Sequence, residues 1–157
     1  MLESARSYID TESSINILDI GSEGSGGAYD NIFKPNIHWH YTGCDIVAGP
    51  NVDVVMNEPY VLPFENRYFD LVISGQAAEH MEYPWLMFEE IARVLKSGGM
   101  AFIIAPGAGP IHHNIDCWRF NPDGMKALAK WAKLEVIKAE QYYDSEWHDT
   151  LLVCRKK

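Results

Sequence analysis

The chain has 157 residues, 47% of them hydrophobic and 22% charged, a composition typical of a soluble globular protein that can bury a core. Its formal net charge of −9 disfavours nonspecific binding to nucleic acid or to an anionic membrane surface, because both need basic groups. The 3 cysteines are too few and too scattered for a disulfide framework, which agrees with a reducing compartment. No apolar run reaches bilayer length, and the amino-terminal segment lacks the apolar stretch of a signal peptide. We therefore expect a cytoplasmic protein without membrane insertion, folded as one domain over residues 1–157.

Seven apolar runs have the length and composition of β-strands. In chain order they cover residues 15–20, 39–44, 52–56, 68–74, 100–105, 134–143 and 150–155. The first five are apolar nearly throughout, which is the pattern of strands covered on both faces, as in parallel sheets flanked by helices. A short polar stretch, Asp144-Ser145-Glu146, joins the last two runs and predicts an antiparallel hairpin at one edge of the sheet.

Predicted helices alternate with these strands. One helix is predicted over residues 84–96, with a proline in its first turn and an end at Gly98-Gly99. Another starts at Asn121-Pro122-Asp123, where the asparagine caps the helix, the proline takes the first helical position and the acid faces the helix dipole. Shorter helices are expected over residues 3–9 and 27–33. The alternation predicts an α/β fold.

The connection between the second and third strands is unusually short. Only about half a dozen residues separate Asp45 from Val52, whereas a crossover between parallel strands normally needs a dozen or more. We therefore expect an irregular connection there, which leaves one side of the sheet thinly covered.

A glycine-rich turn follows the first strand, with the sequence Asp19-Ile20-Gly21-Ser22-Glu23-Gly24-Ser25-Gly26-Gly27. Glycines at a strand-to-helix turn let the backbone approach a ligand, and ligands of open α/β sheets bind beyond the carboxyl ends of the strands near such a turn. Asp45 ends the second strand about twenty residues later, where a carboxylate can accept both hydroxyls of a ribose. Each feature alone is as readily structural as functional, but together they predict an adenosine site.

The glycine spacing argues against a dinucleotide. The pattern Gly-x-Gly-x-x-Gly fails in both registers, because Glu23 takes the second glycine position counted from Gly21 and Tyr29 takes the third counted from Gly24. Glu23 would also place a carboxylate where phosphates should lie, and the sequence has no P-loop motif. This spacing therefore disfavours a nucleotide-dependent oxidoreductase. S-adenosylmethionine has ribose and adenine, no phosphate and a cationic sulfonium that carboxylates tolerate, so it is the predicted ligand.

The run from Ile17 to Ser22 resembles the first motif of class I S-adenosylmethionine-dependent methyltransferases, specifically the methyltransferase type 11 group. The resemblance continues in order through residues 41–45, 52–55, 62–64, 68–74, 78–80 and 90–99. Beyond the fifth strand, residues 113–116 and 118–124 are similar to a subgroup often found among glycan and cell-envelope biosynthesis genes. The resemblance implies a Rossmann-like methyltransferase fold, with a mostly parallel seven-stranded sheet and a C-terminal antiparallel hairpin.

The resemblance also implies roles for individual residues in binding the methyl donor. The backbone of Gly21 and Ser22, with Asp19 behind them, would hold the methionine end. Asp45 would bind the ribose, and Ile46 would pack on the adenine. The remaining implied donor contacts are an adenine contact from Asn57 or Glu58, and contacts from Ser74, Gly75 and Gln76 after the fourth strand.

The chain departs from the family pattern in three places. Glu23 replaces the usual second glycine of the first motif, the helix between the second and third strands is absent, and the amino-terminal lid of many relatives is reduced. These departures leave open whether one monomer forms a complete acceptor pocket. The oligomeric state is open too, with a homodimer as one option.

Methyl transfer is an in-line displacement at an electrophilic sulfonium methyl, so the main contribution of the protein is positioning. A general base helps when the acceptor is a hydroxyl or a protonated amine. The candidates are His80, His112, His113 and Asp116. His113 comes first, because histidines that titrate near neutrality are enriched at such sites. For each histidine, capping a loop or binding water is an equal alternative.

On the acceptor side, Trp118 and Arg119 have two interpretations. They contact an acceptor sugar or carboxylate, or Trp118 packs under the loop while Arg119 pairs with Asp116 or with a backbone carbonyl. The leading hypothesis is an S-adenosylmethionine-dependent methyltransferase that acts on a small-molecule or glycan-type acceptor. The alternative is a non-catalytic donor-binding module or partner subunit, which the reduced lid and the short helices suggest.

The sequence also contains residues of the types that bind metals. The available ligand sets are His112, His113, Asp116 and Cys117, or His38 with His40. Neither spacing matches a zinc pattern, and His38 and His40 would simply face the same side of a strand. We therefore expect no metal site.

Overall fold

The computed structural model describes residues 8, 12–24 and 30–157. The strands are β1 Ile15–Ile20, β2 Trp39–Asp45, β3 Val54–Val55, β4 Phe69–Gly75, β5 Leu95–Ala105, β6 Leu134–Gln141 and β7 Thr150–Lys156. They form one seven-stranded sheet in the order β3-β2-β1-β4-β5-β7-β6. The strands from β3 to β5 pair in parallel, and β7 pairs antiparallel with both β5 and β6. The predicted fold class, a mostly parallel sheet with an antiparallel hairpin at one edge, is confirmed.

Three α-helices and one 3₁₀ turn lie between the described strands. They are α1 Asp30–Phe33, α2 Pro84–Val94, α3 Pro122–Trp131 and the 3₁₀ turn Ala78–His80. The start of α3 is as predicted, because the Asn121 side chain accepts a hydrogen bond of 2.8 Å from the Gly124 amide and Pro122 takes the first turn. The helix predicted over residues 3–9 lies outside the described residues, and the one predicted over 27–33 is described only from residue 30, as α1.

The predicted end of the second helix at Gly98-Gly99 is wrong. The helix ends at Val94, and Leu95 already has the extended backbone of β5 and pairs with Phe69. The next paired residues are Leu71 and Met100, so the glycine pair lies in an irregularity inside the strand rather than after a helix. Leu95 is fully buried, and this burial fixes it in the sheet more strongly than the local sequence favours another helical turn.

The connection between β2 and β3 is irregular, as expected from its length. It has no helix, and β3 has only 2 residues where five were predicted. Asp53 explains the short strand: its carboxylate accepts a 2.8 Å hydrogen bond from the Gly43 amide, while its own amide donates to the Gly43 carbonyl at 2.9 Å. A side chain thus takes the place of a backbone partner where β3 would otherwise begin.

Both faces of the central strands are buried, as their apolar runs predicted. On β1, Leu18 and Ile20 pack in a cluster with Phe88 of α2 and Met125 of α3, while Ile17 belongs to a second cluster on the opposite face. The sheet is therefore held from both sides. Its carboxyl edge, where β1, β2, β4 and β5 end, carries the loops that contain the predicted site residues.

Gly43→Ala should destabilise the fold, because an added Cβ would lie 2.0 Å from the Asn51 carbonyl oxygen and 2.7 Å from Ser22 Oγ. Overpacking of this kind costs about 1–3 kcal/mol of unfolding free energy, which urea denaturation followed by circular dichroism measures. Gly124→Ala is the matched control, because the nearest atom to its added Cβ is 3.6 Å away and alanine is the better helix former. Equal losses in the two variants would contradict the close approach of β2 to its connection.

Candidate functional site

The turn after β1 has a conformation that requires glycine. Gly21 has φ +79°, and a Cβ at this position would lie 2.5 Å from the Cβ of Ala77 in the loop after β4. The amides of Gly21 and Ser22 both donate to the Cys44 carbonyl, at 2.9 and 3.2 Å. The turn is therefore fixed against the ends of β2 and β4 at once, and the amides of Gly21 and Ser22 are already engaged within the protein.

Asp45 lies directly against this turn. Its Oδ2 accepts a hydrogen bond of 3.1 Å from the Glu23 amide, and its Oδ1 accepts one of 3.2 Å from the Val47 amide. An ionised carboxylate has about four acceptor positions, so two remain. The structure thus brings the glycine turn and the Asp45 carboxylate together, which is the spatial requirement of an adenosine site.

Three buried polar side chains stand behind the turn. The carboxylate of Asp19 accepts a 2.5 Å hydrogen bond from the Tyr41 hydroxyl, and the Ser74 hydroxyl donates to the Ile20 carbonyl at 2.9 Å. Ser22 is also buried, yet its hydroxyl has no hydrogen-bond partner among the described residues. Buried hydroxyls normally have partners, so Ser22 Oγ is an orphaned group at the inner end of the candidate site.

The predicted adenine contacts lie farther out along the same edge. Ile46 follows Asp45 and is 54% exposed, so it presents an apolar surface beside the carboxylate. Asn57 and Glu58 follow β3, and both are exposed. Their placement favours neither of the two as the adenine contact, and this alternative from the sequence stays open.

The loop after β4 is strained where it leaves the strand. Gln76 has φ +56°, a conformation uncommon for residues other than glycine, and its amide donates to the Ile104 carbonyl at 2.9 Å. Gly75 ends the strand, and Gln76 is exposed. The loop therefore turns sharply past the Gly21 turn and leads into the 3₁₀ turn that carries His80.

Three histidines form a cluster beyond β4 and β5. The ring centroids of His80, His112 and His113 lie 4.9–5.0 Å from one another. The Nδ1 atoms of His80 and His112 have oxygen partners, the Ile115 carbonyl at 2.5 Å and Asp116 Oδ2 at 3.0 Å. Three of the four predicted general bases are thus neighbours.

Asp116, the fourth predicted base, is fully engaged. Its carboxylate forms a two-pronged ion pair with Arg119, at 2.5 and 2.8 Å, and also accepts hydrogen bonds from the amide and ring of His112. The Arg119 guanidinium holds the pKa of the Asp116 carboxyl well below its usual range. A strongly acidic, fully bonded carboxylate is a poor proton acceptor, so this geometry favours Asp116 as the group that positions His112.

Glu79 is a candidate functional residue that no sequence pattern indicated. Its side chain is completely buried, neither carboxylate oxygen accepts a hydrogen bond from a described residue, and Oε1 lies 3.5 Å from Nε2 of His80. Burial raises the pKa of this carboxyl to about 7. No local signal marks it, because an acid in a turn after a strand normally faces solvent.

An apolar groove lies beside the segment that follows His112 and His113 in the chain. It has a volume of about 460 Å³ and lies between α2, α3 and the segment around Trp118. Three tryptophans line it: Trp85, Trp118 and Trp131. The Trp118 indole donates to the Met81 carbonyl at 2.8 Å, and the Trp118 amide donates to the Glu79 carbonyl at 3.3 Å. These bonds fix the groove to the turn that carries His80. Arg119 pairs with Asp116, one of the two interpretations that the sequence left open.

Comparison with known proteins agrees with this architecture. The family model of the methyltransferase domain matches residues 18–103, more than half of the chain. An uncharacterized methyltransferase of Mycobacterium marinum is 25% identical over 143 residues, which cover 82% of this chain and 54% of that protein. Another, of Mycolicibacterium gilvum, is 29% identical over 100 residues, which cover 57% of this chain and 38% of that protein. The chain thus spans about half or less of the length of these relatives.

Solved structures share the fold at low sequence identity. The Burkholderia thailandensis 1,6-didemethyltoxoflavin-N1-methyltransferase, crystallised with 1,6-didemethyltoxoflavin and S-adenosylhomocysteine, has a TM-score of 0.74 at 16% identity, over 99% of this chain and 75% of that one. A chain from the complex with the Haloferax volcanii Trm112 methyltransferase activator has a TM-score of 0.77 at 17% identity, over 98% and 87%. No helix in the described part of this chain is long and apolar enough to cross a membrane. The family match, together with the sheet order and the parallel pairing from β3 to β5, shows that the chain belongs to the methyltransferase domain family.

Proposed function

We propose that this protein binds S-adenosylmethionine and transfers its methyl group to a small-molecule or glycan-type acceptor. The observation that carries the proposal is the convergence of the Gly21 turn and the Asp45 carboxylate, joined by the 3.1 Å hydrogen bond from the Glu23 amide. Both lie at the carboxyl edge of the sheet, where open α/β folds bind their ligands.

The residues at this edge fit the donor. Asp45 keeps acceptor capacity for the two ribose hydroxyls, and the half-exposed Ile46 beside it offers an apolar contact for a planar base. At the inner end, the Ser22 hydroxyl lacks a partner among the described residues, and the carbonyls of the turn can accept hydrogen bonds from an ammonium group. The set of carboxylates and carbonyls suits a cationic, phosphate-free ligand and repels a pyrophosphate.

When bound, S-adenosylmethionine supplies a methyl group on a positively charged sulfur, which an acceptor nucleophile displaces in line. The chain contributes positioning. A turn fixed by the Cys44 carbonyl and the Ala77 contact holds one end of the donor, and Asp45 holds the other. The acceptor must then approach from the open side, past the loop after β4.

The tryptophan groove supports an acceptor with an apolar or sugar-like face. Aromatic rings present flat surfaces on which the C–H faces of a sugar or a planar ring can pack, and Trp131 is 60% exposed. The groove adjoins the His80 turn through the Glu79–Trp118 backbone bond. If the acceptor is a hydroxyl, His80 and His113, whose rings lie 5.0 Å apart, would be the groups that accept its proton.

A second candidate is a donor-binding subunit that needs a partner to act. Two observations favour it: the chain spans 38–54% of the length of the relatives described above, and one structural neighbour was solved with an activator protein. Donor binding without turnover would distinguish this candidate from the first.

Asp45→Asn should weaken binding of S-adenosylmethionine and S-adenosylhomocysteine by about 10- to 100-fold, because hydrogen bonds to a charged group contribute about 1.5–3 kcal/mol. The asparagine keeps the size of the side chain and loses its charge. Isothermal titration calorimetry measures both affinities. Asp123→Asn, an exposed carboxylate at the start of α3, is the control and should bind like the wild type. Wild-type protein that binds neither ligand would refute the proposal.

Gly21→Ala should lower both stability and donor affinity. The positive φ costs about 1–3 kcal/mol for a residue with a side chain, and the new Cβ collides with Ala77. Adding Ala77→Gly removes the collision and leaves the backbone strain, so the double variant should recover part of the unfolding free energy in urea denaturation. Ala77→Gly alone provides the reference. A double variant as unstable as the single one would show that the Ala77 contact does not determine the choice of glycine.

Trp131→Ala should reduce kcat/KM for the acceptor several-fold without changing the affinity for S-adenosylhomocysteine, because Trp131 lines the groove and lies on a helix away from the Gly21 turn. The assay follows label from methyl-labelled donor into a panel of hydroxylated small molecules and sugars. Lys130→Ala, one residue earlier and outside the groove lining, is the control. Intact donor binding with no transfer to any acceptor would favour the partner-dependent candidate.

A further inference from the structure

The histidine cluster has the geometry of a metal site as well as that of a proton acceptor. One ring nitrogen from each of His80, His112 and His113 lies within 4.8 Å of the other two. His80 comes from the 3₁₀ turn after β4, and the other two come from the loop after the neighbouring strand β5. The cluster therefore depends on the pairing of β4 with β5, and it opens to solvent because His112 and His113 are exposed.

One ring nitrogen in each of two histidines is already held in the manner of metal-bound histidines. Such histidines donate their second N–H to a carbonyl or a carboxylate, which fixes the ring and its tautomer. His80 Nδ1 lies 2.5 Å from the Ile115 carbonyl, which only accepts, so Nδ1 is the donor in this bond and Nε2 is the nitrogen left to bind a metal. His112 Nδ1 faces Asp116, whose carboxylate is anchored in turn by Arg119.

Glu79 is a second, independent indication of a cation. A completely buried carboxylate without hydrogen-bond donors is costly, and such groups are normally paired with a cation or bound to a metal. Glu79 Oε1 lies 3.5 Å from His80 Nε2, the nitrogen left available by the Ile115 bond. A cation held by the histidines would supply the positive partner that the Glu79 carboxylate lacks among the described residues.

We propose that His80, His112 and His113 bind one divalent transition-metal ion of the zinc class, with the buried Glu79 carboxylate balancing its charge. Imidazole nitrogens suit this class of ion. Tetrahedral zinc with Zn–N bonds of about 2.0–2.1 Å places its ligand nitrogens about 3.3 Å apart, so the cluster must contract by up to about 1.5 Å. His112 and His113 are exposed, so their side chains have room to rotate toward an ion. Three protein ligands leave one coordination position for water or for an oxygen of an acceptor.

This ligand set differs from those that the sequence suggested. The expectation of no metal rested on the spacing of His112, His113, Asp116 and Cys117. In the structure, however, Asp116 pairs with His112 and Arg119. His80, from much earlier in the chain, lies beside the other two histidines instead. Metal binding here does not depend on methyl transfer and is tested separately from it.

The test uses protein freed of metal by a chelator and titrated with Zn²⁺ in a calorimeter and with Co²⁺ by visible absorption. We expect one ion per chain, with the intense d–d bands of tetrahedral Co²⁺. His80→Ala and His113→Ala should each weaken binding by at least about 100-fold, and Asp116→Asn by about 10- to 100-fold, because it orients a ligand. Glu79→Gln should also weaken binding, since it removes the balancing charge.

His40→Ala is the matched control, because His40 lies at the start of β2 and its ring bonds Ser14. It should bind metal like the wild type. His113 is exposed, so His113→Ala should fold normally, which thermal denaturation verifies. The absence of binding at one equivalent, unchanged affinity in His113→Ala, or loss of affinity in His40→Ala would overturn the proposal. So would a thiolate-to-cobalt band that disappears in Cys117→Ser, because it would assign the ion to the exposed thiol.

Discussion

The candidate site depends on one shared acceptor, the Cys44 carbonyl at the end of β2. It receives the amides of both Gly21 and Ser22, and so bends the chain back as it leaves β1. That bend directs the next amide, from Glu23, onto the Asp45 carboxylate. The pairing of β1 with β2 already places Ile20 beside Cys44, and the bend adds the direct hydrogen bond between the glycine turn and the acid. The positive φ of Gly21 and the contact with Ala77 are the local cost of this bend.

A second region of chemistry lies beside the first because β4 and β5 are neighbours in the sheet. Their carboxyl ends lead into the turn with His80 and the loop with His112 and His113, and the amide of Cys117 closes the arrangement by donating to the Glu79 carbonyl at 2.7 Å. The sheet register therefore places the candidate donor site and a histidine cluster along one edge. The tryptophan groove is joined to the His80 turn by the bond from the Trp118 amide to the Glu79 carbonyl.

Local patterns predicted most of the fold. The strand β1 agrees with its prediction residue for residue, and the cap at Asn121 fixed the start of α3, because burial periodicity and capping depend on residues close in sequence. The predicted end of α2 was wrong because Leu95 pairs with Phe69 of β4, a residue distant in sequence. Gly98 has φ +81°, which suits a strand irregularity as well as a helix end.

The sequence predicted only those residues of the candidate site that belong to one local motif. The Gly21 turn and Asp45 stood out because a strand-to-turn pattern places them, whereas the histidine cluster and Glu79 depend on the pairing of β4 with β5 and on burial.

The most direct measurement of the central claim is a crystal structure with S-adenosylhomocysteine. We expect both ribose hydroxyls within hydrogen-bond distance of the Asp45 carboxylate and the amino-acid end against the Gly21–Ser22 turn. A ligand bound elsewhere, or a crevice filled by the Glu23 side chain, would contradict the account.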